Sequence, residues 1–349
     1  MQQKVKNFFL WIRENLNLLI LIALIAGAIK GYFSPMEFSR VICGVAMLTM
    51  VYPIMIYLKI EDSLAEFKKY TRILFISFFI NFLISPIIAI LIVSLFLKKN
   101  IYLAIGLLLI GSIPTSGLTL NWIHRFKGNI KMGILLVFFN ILFATILVPF
   151  FLPIVSHLIL QSDLKINSWI ILEKIIFIII VPILLGYFTR LYFRKINKTE
   201  ILQNNKDLIS GISNLGILLV MFLIMSLENT KNVLPTLMES ILAIPAVFIY
   251  YFSMFLVYKF LIKKNLREEE TIPLFLSTFL RYHIISLGIA ISAFGETTSG
   301  ILVTAPIILG ILIQPTAISL FGKYIFSLTG DSIPKETNES KTSLTKIQT

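Results

Sequence analysis

Apolar residues fill long blocks along almost the whole chain, and short polar segments separate these blocks. Ten blocks contain about 18 residues or more, the length that an α-helix needs to cross a ~30 Å hydrocarbon core. Strands of a transmembrane barrel would be about 10 residues long and alternate in polarity, whereas these blocks are apolar on every face. The pattern therefore predicts an all-α polytopic membrane protein. The predicted spans are Leu16–Phe33, Val41–Ile60, Ile73–Leu97, Tyr102–Trp122, Met132–Leu158, Ile175–Tyr192, Leu208–Leu227, Ile241–Leu261, Ile272–Phe294 and Ile301–Phe321.

The composition agrees with this class and excludes several others. Hydrophobic residues make up 57% of the chain and charged residues 14%, and the mean hydropathy is +0.89, so a soluble enzyme is excluded. The net charge of +13 lies in short loops, where it indicates membrane topology rather than nucleic-acid binding. A single cysteine, Cys43, excludes an intramolecular disulfide and any multi-thiolate metal site.

The basic residues are distributed unequally between the two sides of the predicted spans. Of the 31 basic residues, 23 lie on the side that carries both termini, seven lie on the other side, and Arg281 lies within a span. Positive charge accumulates on the cytoplasmic side of membrane proteins, so we expect a multi-pass protein of the cell membrane with both termini cytoplasmic. Residues 324–349 are polar and without periodicity, and we expect a disordered cytoplasmic tail.

The most unusual polar residue inside a span is Arg281, close to the middle of Ile272–Phe294. It lies roughly 14 Å from the start of the span at ~1.5 Å per residue. A central arginine costs about 2.5–3.5 kcal/mol to insert, so it normally faces a cavity, a partner or a ligand. Span Tyr102–Trp122 is interrupted at a similar depth, because Pro114 lacks a backbone N–H and Gly117 weakens the helix.

The interrupted spans are the fourth and the ninth, five apart and opposite in direction. Gly31-Tyr-Phe-Ser34 and Gly186-Tyr-Phe-Thr189 are a weak local match. They lie near the ends of the first and sixth spans, which are also five spans apart. The order predicts two inverted five-helix repeats, residues 1–163 and 164–323, with a site between two broken helices near the midplane.

The residues around the two interruptions supply the candidate substrate ligands. The guanidinium of Arg281 and helix N-termini at Gly117 and near Tyr282 would form a positively polarised pocket suited to an anion. Arg281 has an alternative structural role, in which it pairs with a carbonyl or a helix C-terminus. His283 has two alternative roles, as a hydrogen-bonded core residue or as the carrier of a coupling proton. The candidate substrate-binding residues are Arg281, His283, Tyr282, Ser277, Thr115 and Ser116.

Four stretches within the predicted spans are the most specific motifs of the sequence. They are Met50-Val-Tyr-Pro53, the stretch from Gly111 to Trp122, Ala290-Ile-Ser-Ala-Phe-Gly295 and Ala305-Pro-Ile307. These motifs resemble the superfamily of sodium/bile acid symporters and arsenical-resistance arsenite permeases, and the similarity extends over nearly the whole chain. The resemblance implies ten helices in two inverted repeats, a panel domain and a core domain, with helices four and nine unwinding and crossing in the core.

The residues that would define the substrate differ from those of the arsenite permeases. Thr115 stands where the permeases have an essential cysteine, and soft trivalent arsenic favours thiolates. Arg281-Tyr-His-Ile284 stands where they have Asn-Asn-Phe-Glu, so Ile284 replaces the carboxylate. By resemblance to the sodium symporters, Ser116, Thr119, Asn121 and Asn140 are candidate oxygen ligands for a coupling Na⁺.

Three functions compete on this basis. The first is secondary active transport of a small carboxylate, sulfonate or oxyanion by alternating access, coupled to Na⁺ or H⁺. The second is arsenite efflux through an atypical site without thiols, and the third is a membrane receptor that does not transport. We expect no enzymatic activity and no resident cofactor, since the chain has no nucleotide-binding loop or nucleophile motif. The expected partners are the lipid bilayer and the anion, in a monomer or homodimer.

Overall fold

Helices form every regular element in the part of the chain that the structure describes. The computed structural model describes residues 2–34, 40–57, 64, 66–115, 119–160, 168–226, 240–262, 266–294 and 300–329. The helices are α1 (Gln2–Glu14), α2 (Leu16–Phe33), α3 (Arg40–Met55), α4 (Phe67–Phe79), α5 (Ser85–Ile92), α6 (Ile101–Ser112), α7 (Thr119–Arg125), α8 (Ile130–Leu160), α9 (Ser168–Ile175), α10 (Val181–Lys195), α11 (Thr199–Asn204), α12 (Lys206–Ser226), α13 (Ala243–Val257), α14 (Glu268–Phe279), α15 (His283–Phe294) and α16 (Gly300–Thr329).

Wider π-type turns extend or join some of these helices. Ile80–Ile84 joins α4 to α5, Val93–Leu97 continues α5, Ile176–Ile180 joins α9 to α10, and Tyr258–Ile262 continues α13. Such turns frequently occur at functional sites. As a result, α4 and α5 belong to one continuous helix of 31 residues, Phe67–Leu97.

The lengths and polarity of the helices agree with a membrane protein. Within the described residues, Phe67–Leu97, Ile130–His157 and Ala243–Phe260 are long and apolar enough to cross a membrane. Large apolar side chains are exposed on helix surfaces, for example Leu95 and Phe248, as is normal where lipid replaces water. The described part of each predicted span contains a helix or two consecutive helices, whereas α1 lies before the first predicted span and was not predicted. The boundary that we placed at residue 324 lies inside α16, and residues 330–349 are outside the described part.

The helices pack in two groups, and each group combines helices from before and after residue 163. In the first group, α12 packs against α1, α2 and α3, and α10 packs against α3. In the second group, α16 packs against α6, α13 and α15, while α14 packs against α4, α7 and α8. The second group contains Arg281 and therefore the candidate site.

Helices α6 and α16 approach each other very closely within the second group. Gly106 faces the backbone carbonyl of Val303, and a methyl group at residue 106 would overlap that oxygen. The absence of a side chain at residue 106 therefore allows the short distance between α6 and α16. The end of α6 lies beside α16 as a result.

Both interruptions predicted from the sequence are present. Helix α6 ends at Ser112, and Ile113 is extended with φ −99° and ψ 101°, as expected for a residue before proline. Helix α14 ends at Phe279, Leu280 is extended, and α15 begins at His283. Of the two residues predicted to break span four, Pro114 lies in the non-helical segment, and Gly117 lies outside the described residues.

The two interruptions lie next to each other. Pro114 and Arg281 form an isolated antiparallel β-bridge, and the backbone N–H of Tyr282 donates to the carbonyl of Ile113 at 3.5 Å. Two short extended segments, one from each broken span, therefore run past one another inside the second helix group.

Candidate functional site

Arg281 is buried, with only 1% of its surface exposed. Its Nη1 donates to Oδ1 of Asn81 at 3.0 Å, and its Nη2 lies 3.8 Å from the sulfur of Met254. The ring centre of Tyr250 lies 5.8 Å from the guanidinium carbon, within the range of a cation–π interaction. Among the described residues, no carboxylate forms an ion pair with Arg281, and its Nε–H has no acceptor. The positive charge is therefore held by neutral groups.

The partner Asn81 belongs to a buried chain of hydrogen bonds that ends at Ser277. The side-chain amides of Asn81 and Asn140 both donate to the hydroxyl of Ser77, at 3.1 and 3.0 Å. Asn140 also donates to the hydroxyl of Thr115 at 3.0 Å, and Thr115 donates to the carbonyl of Ser277. This chain links Arg281 to both interruptions, since Thr115 lies in the first and Ser277 lies shortly before the second.

Thr115 has a strained backbone. Its φ of 44° lies in the left-handed region, which β-branched residues rarely adopt. The hydrogen bonds of its hydroxyl to Ser277 and Asn140 hold it in this conformation. Backbone strain of this kind concentrates at functional sites, where surrounding contacts stabilise it.

Tyr250 is fixed from the side of the first interruption. The hydroxyl of Ser85 donates to the carbonyl of Gly111 at 2.6 Å, so the hydroxyl of Tyr250, 2.8 Å from it, donates to Ser85. The aromatic face beside Arg281 is therefore held in place by the end of α6.

A second polar cluster holds the backbone of Arg281. Oε1 of Gln314 accepts from the backbone N–H of Arg281 at 2.7 Å and from the hydroxyl of Tyr251 at 2.9 Å. Nε2 of Gln314 donates to the carbonyl of Arg281 at 3.4 Å. Nε2 of His283 lies 2.5 Å from the hydroxyl of Tyr251.

Buried polar atoms without a partner in the described residues concentrate around the interruptions. They include Nε of Arg281, the hydroxyl of Tyr282, Nδ1 of His283 and the hydroxyl of Thr119, the first residue of α7. Buried polar groups in native proteins nearly always have partners, so unpaired ones indicate where a ligand or water completes the site.

The chain matches the family model of the Sodium Bile acid symporter family over residues 44–235, which is more than half of its length. The protein belongs to this family. It is 25% identical to the arsenical-resistance protein Acr3 of Alkaliphilus metalliredigens, with 86% of this chain and 88% of the relative covered. It is 23% identical to Acr3 of Corynebacterium glutamicum, with 81% of each chain covered. The resemblance found in the sequence motifs is confirmed.

Membership of the sodium/bile acid symporter family defines the general activity. The protein is an integral membrane transporter of the bile acid symporter and arsenite permease type and is not an enzyme. Transport is therefore favoured over the alternative of a receptor that does not transport. The substrate and the coupling ion are not defined by this membership.

In this family member, most of the residues predicted for substrate binding are buried at the interruptions. Arg281, Tyr282, His283 and Thr115 are there, with Arg281 and Thr115 in one hydrogen-bonded chain. Ser277 joins that chain through its carbonyl, while its hydroxyl donates to the carbonyl of Leu274. Ser116 lies outside the described residues.

The predicted cation ligands are only partly brought together. Asn140 bonds to Thr115 and Ser77, and Thr119 is buried without a partner for its hydroxyl. Asn121 lies in α7, but its side chain, like the whole of Ser116, is outside the described part. Na⁺ binding by these residues stays a prediction.

The residues that surround Arg281 from intact helices were not predicted from the sequence. These residues are Ser77, Asn81, Tyr250, Tyr251, Met254 and Gln314. The available signal was a single amide side chain inside an apolar span, which applies to Asn81 and Gln314. Ser77 and Asn81 also lie four residues apart, which places them on one helix face.

Proposed function

We propose that the protein is a secondary active transporter of a small anion, a carboxylate, sulfonate or oxyanion, and that Arg281 binds the anion. The observation that carries this proposal is the burial of the Arg281 guanidinium among neutral groups where the two broken spans meet, with an Nε–H that has no acceptor among the described residues. Transport proceeds by alternating access and is coupled to Na⁺ or H⁺.

The electrostatics around Arg281 favour an anionic ligand. A buried charge without a countercharge is costly, and a bound anion supplies both the countercharge and the acceptor for Nε–H. Helix α15 begins at His283, two residues after Arg281, and helix N-termini carry partial positive charge. The planar guanidinium fork is suited to two-point binding of carboxylate or oxyanion groups.

The proposed architecture has ten spans in two inverted halves, residues 1–163 and 164–323, with both termini cytoplasmic in the cell membrane. Two observations support it. The described interruptions fall in the fourth and ninth predicted spans, and basic residues accumulate on one side of the predicted spans. The oligomeric state is a monomer or homodimer.

The test compares anion binding in Arg281→Lys and Arg281→Ala with the wild-type protein. Purified protein is screened by thermal shift against benzoate, pyruvate, methanesulfonate, inorganic sulfate, arsenite and cholate, and uptake of stabilising anions is measured in liposomes. Arg281→Lys keeps the charge but loses the planar fork, so the affinity should fall about tenfold or more. Arg281→Ala should abolish binding and leave the amount of folded protein unchanged or higher, because the insertion cost disappears.

A matched control is Arg190→Ala. Arg190 donates to the carbonyl of Met55 at 2.9 Å, within the first helix group and away from the interruptions. This variant should lower the melting temperature but bind the same anions per folded molecule. A structural role for Arg281 predicts the opposite result: Arg281→Ala would reduce folded protein, and the remaining protein would bind anions normally.

Arsenite efflux is a second candidate, because both relatives compared above are arsenical-resistance proteins. Among the described residues, the polar side-chain groups at the interruptions are hydroxyls, amides, an imidazole and a guanidinium, so arsenite would bind through oxygen and nitrogen contacts rather than thiolate bonds. Expression in cells that lack their own arsenite efflux decides this candidate. Increased arsenite resistance that is lost in Arg281→Ala supports it, and unchanged sensitivity of cells that contain the protein excludes it.

A further inference from the structure

The side-chain amide of Gln314 binds both backbone groups of a single residue, Arg281. Its Oε1 accepts from the N–H at 2.7 Å, and its Nε2 donates to the carbonyl at 3.4 Å. Gln314 is buried in α16, which lies in a different span from Arg281. An amide that pairs with an N–H and a C=O in this manner imitates the peptide group of a neighbouring β-strand.

This contact replaces hydrogen bonds that the interruption removes. Leu280, Arg281 and Tyr282 lie between α14 and α15. The N–H of Leu280 still donates to Leu276 and the carbonyl of Tyr282 still accepts from Ile285, whereas the N–H of Arg281 donates to Gln314. Buried backbone groups without partners are destabilising. One side of the segment lies against Pro114 through the β-bridge. Gln314 supplies a hydrogen-bond partner for the backbone N–H of Arg281.

The backbone of Arg281 fixes which end of the Gln314 amide faces its N–H, and this orientation in turn sets the roles of Tyr251 and His283. The hydroxyl of Tyr251 has one proton, and it donates this proton to Oε1 of Gln314. The hydroxyl oxygen therefore accepts from Nε2–H of His283. If the amide turned over, its NH₂ group would face the N–H of Arg281 and its oxygen would face the carbonyl of Arg281, so this orientation is the stable one.

We propose that Gln314 is a positioning residue for the anion site: it fixes the backbone of Arg281 so that the guanidinium is aimed at Asn81 and at the bound anion. Tyr251, which also bonds to His283, supports Gln314 by donating to its amide oxygen. This inference depends on the proposed function, since it gives Arg281 the role of anion ligand. A binding site must be held within about 0.5 Å to act well, and a loosened backbone would move the whole side chain.

The variants that test this inference are Gln314→Met, Tyr251→Phe and the control Thr145→Val. Methionine has a similar size and shape to glutamine but can bond neither backbone group, and phenylalanine removes only the hydroxyl that donates to the amide oxygen. Thr145 is a buried residue whose hydroxyl donates to the carbonyl of Ile141 within α8, so its replacement removes a buried hydrogen bond elsewhere. The NMR signal of Arg281 Nε–H is assigned in protein labelled with ¹⁵N-arginine, as the signal that disappears from the spectrum of Arg281→Lys.

The expected result has two parts. Gln314→Met should shift or broaden the Nε–H signal of Arg281 and weaken binding of benzoate, methanesulfonate or sulfate about tenfold, as expected for loss of about one strong hydrogen bond. Tyr251→Phe should have a smaller effect of the same kind. Thr145→Val should change neither the signal nor the affinity.

The possible failures can be told apart. If Arg281→Ala abolishes anion binding while Gln314→Met leaves both the affinity and the Arg281 signal unchanged, the positioning role is wrong and the proposed function stands. If the wild-type protein binds none of the probes, the anion function fails. The Arg281 signal in Gln314→Met then still decides the positioning role, because it does not require a ligand.

Discussion

At the scale of single residues, the positive charge of Arg281 is surrounded by neutral groups, each of which stabilises it only partly. The amide oxygen of Asn81 provides a dipole, the sulfur of Met254 is polarisable, and the ring of Tyr250 presents its negative face. A carboxylate would have cancelled the charge and closed the site to other anions. Neutral partners stabilise the cation and leave it able to attract a ligand.

Asn81 therefore offers a test in which stability and binding change in different directions. Asn81→Asp places a carboxylate beside the guanidinium, so the melting temperature should stay the same or rise while anion affinity falls strongly. Asn81→Leu removes the acceptor, so the protein should lose about 2 kcal/mol of stability, as for a hydrogen bond to a charged group. Thermal melting and anion binding are measured on the same samples.

The comparison of the two Asn81 variants also contains its own control. Both substitutions remove the amide, but only one introduces a negative charge. If Asn81→Asp bound the anions as tightly as the wild-type protein, the charge of Arg281 would not be part of the binding site.

At the scale of helices, the two interruptions have different physical causes. Pro114 lacks a donor and forces Ile113 into an extended conformation, so the first interruption follows from local sequence. The second, at Leu280 to Tyr282, has no proline within it and is stabilised by Ile113, Pro114 and Gln314 from other spans. Tertiary contacts therefore determine where span nine breaks.

The close approach of α6 and α16 gives a prediction at this scale. Gly106→Ala would push a methyl group into the backbone carbonyl of Val303, which cannot move without displacing α16. Overpacking of this kind costs about 1–3 kcal/mol, so the melting temperature should fall, and Gln314 on the same helix should be displaced enough to weaken anion binding.

Gly133→Ala is the matched control. A methyl group at residue 133 would meet the end of the Ile123 side chain, which can rotate away, so the loss of stability should be smaller. Equal melting temperatures for the two alanine variants would show that the distance between α6 and α16 is not constrained by Gly106.

At the scale of the whole molecule, ionic contacts lie at the beginnings of helices in the second group. Lys131, near the start of α8, forms an ion pair with Glu66 just before α4, and the hydrogen bonds from Lys131 and Tyr70 lower the pKa of the Glu66 carboxyl. Arg72 in α4 lies 3.9 Å from Glu270, at the start of α14. These residues all lie on the side that the charge distribution assigns to the cytoplasm.

The topology prediction follows from this arrangement. Reporter domains that are active only outside the cytoplasm should be active when fused after Lys98 or Lys231 and inactive when fused after Lys198 or at the C-terminus. Reporters that fluoresce only in the cytoplasm should give the reverse pattern. Cytoplasmic reporters at Lys98 and Lys231 would contradict the proposed orientation.

The sequence was sufficient for features that depend on strong local signals. Long apolar blocks located the helices, Pro114 located one interruption, and Arg281 marked the site because a central charge has few ordinary explanations. Asn81 and Gln314 were not found, since one polar residue in an apolar span does not reveal which residue it faces. Their roles depend on how α4, α14 and α16 pack, and this information is distributed over the whole chain.

The bridge between Pro114 and Arg281 has a consequence for the evolution of substrate choice. It uses only main-chain atoms, and Gln314 likewise holds only the main chain of residue 281. The framework of the site is therefore largely independent of the side chain at this position. A lineage could exchange the ligand-binding side chain while keeping the framework, so that relatives with the same architecture acquire different cargoes through few mutations.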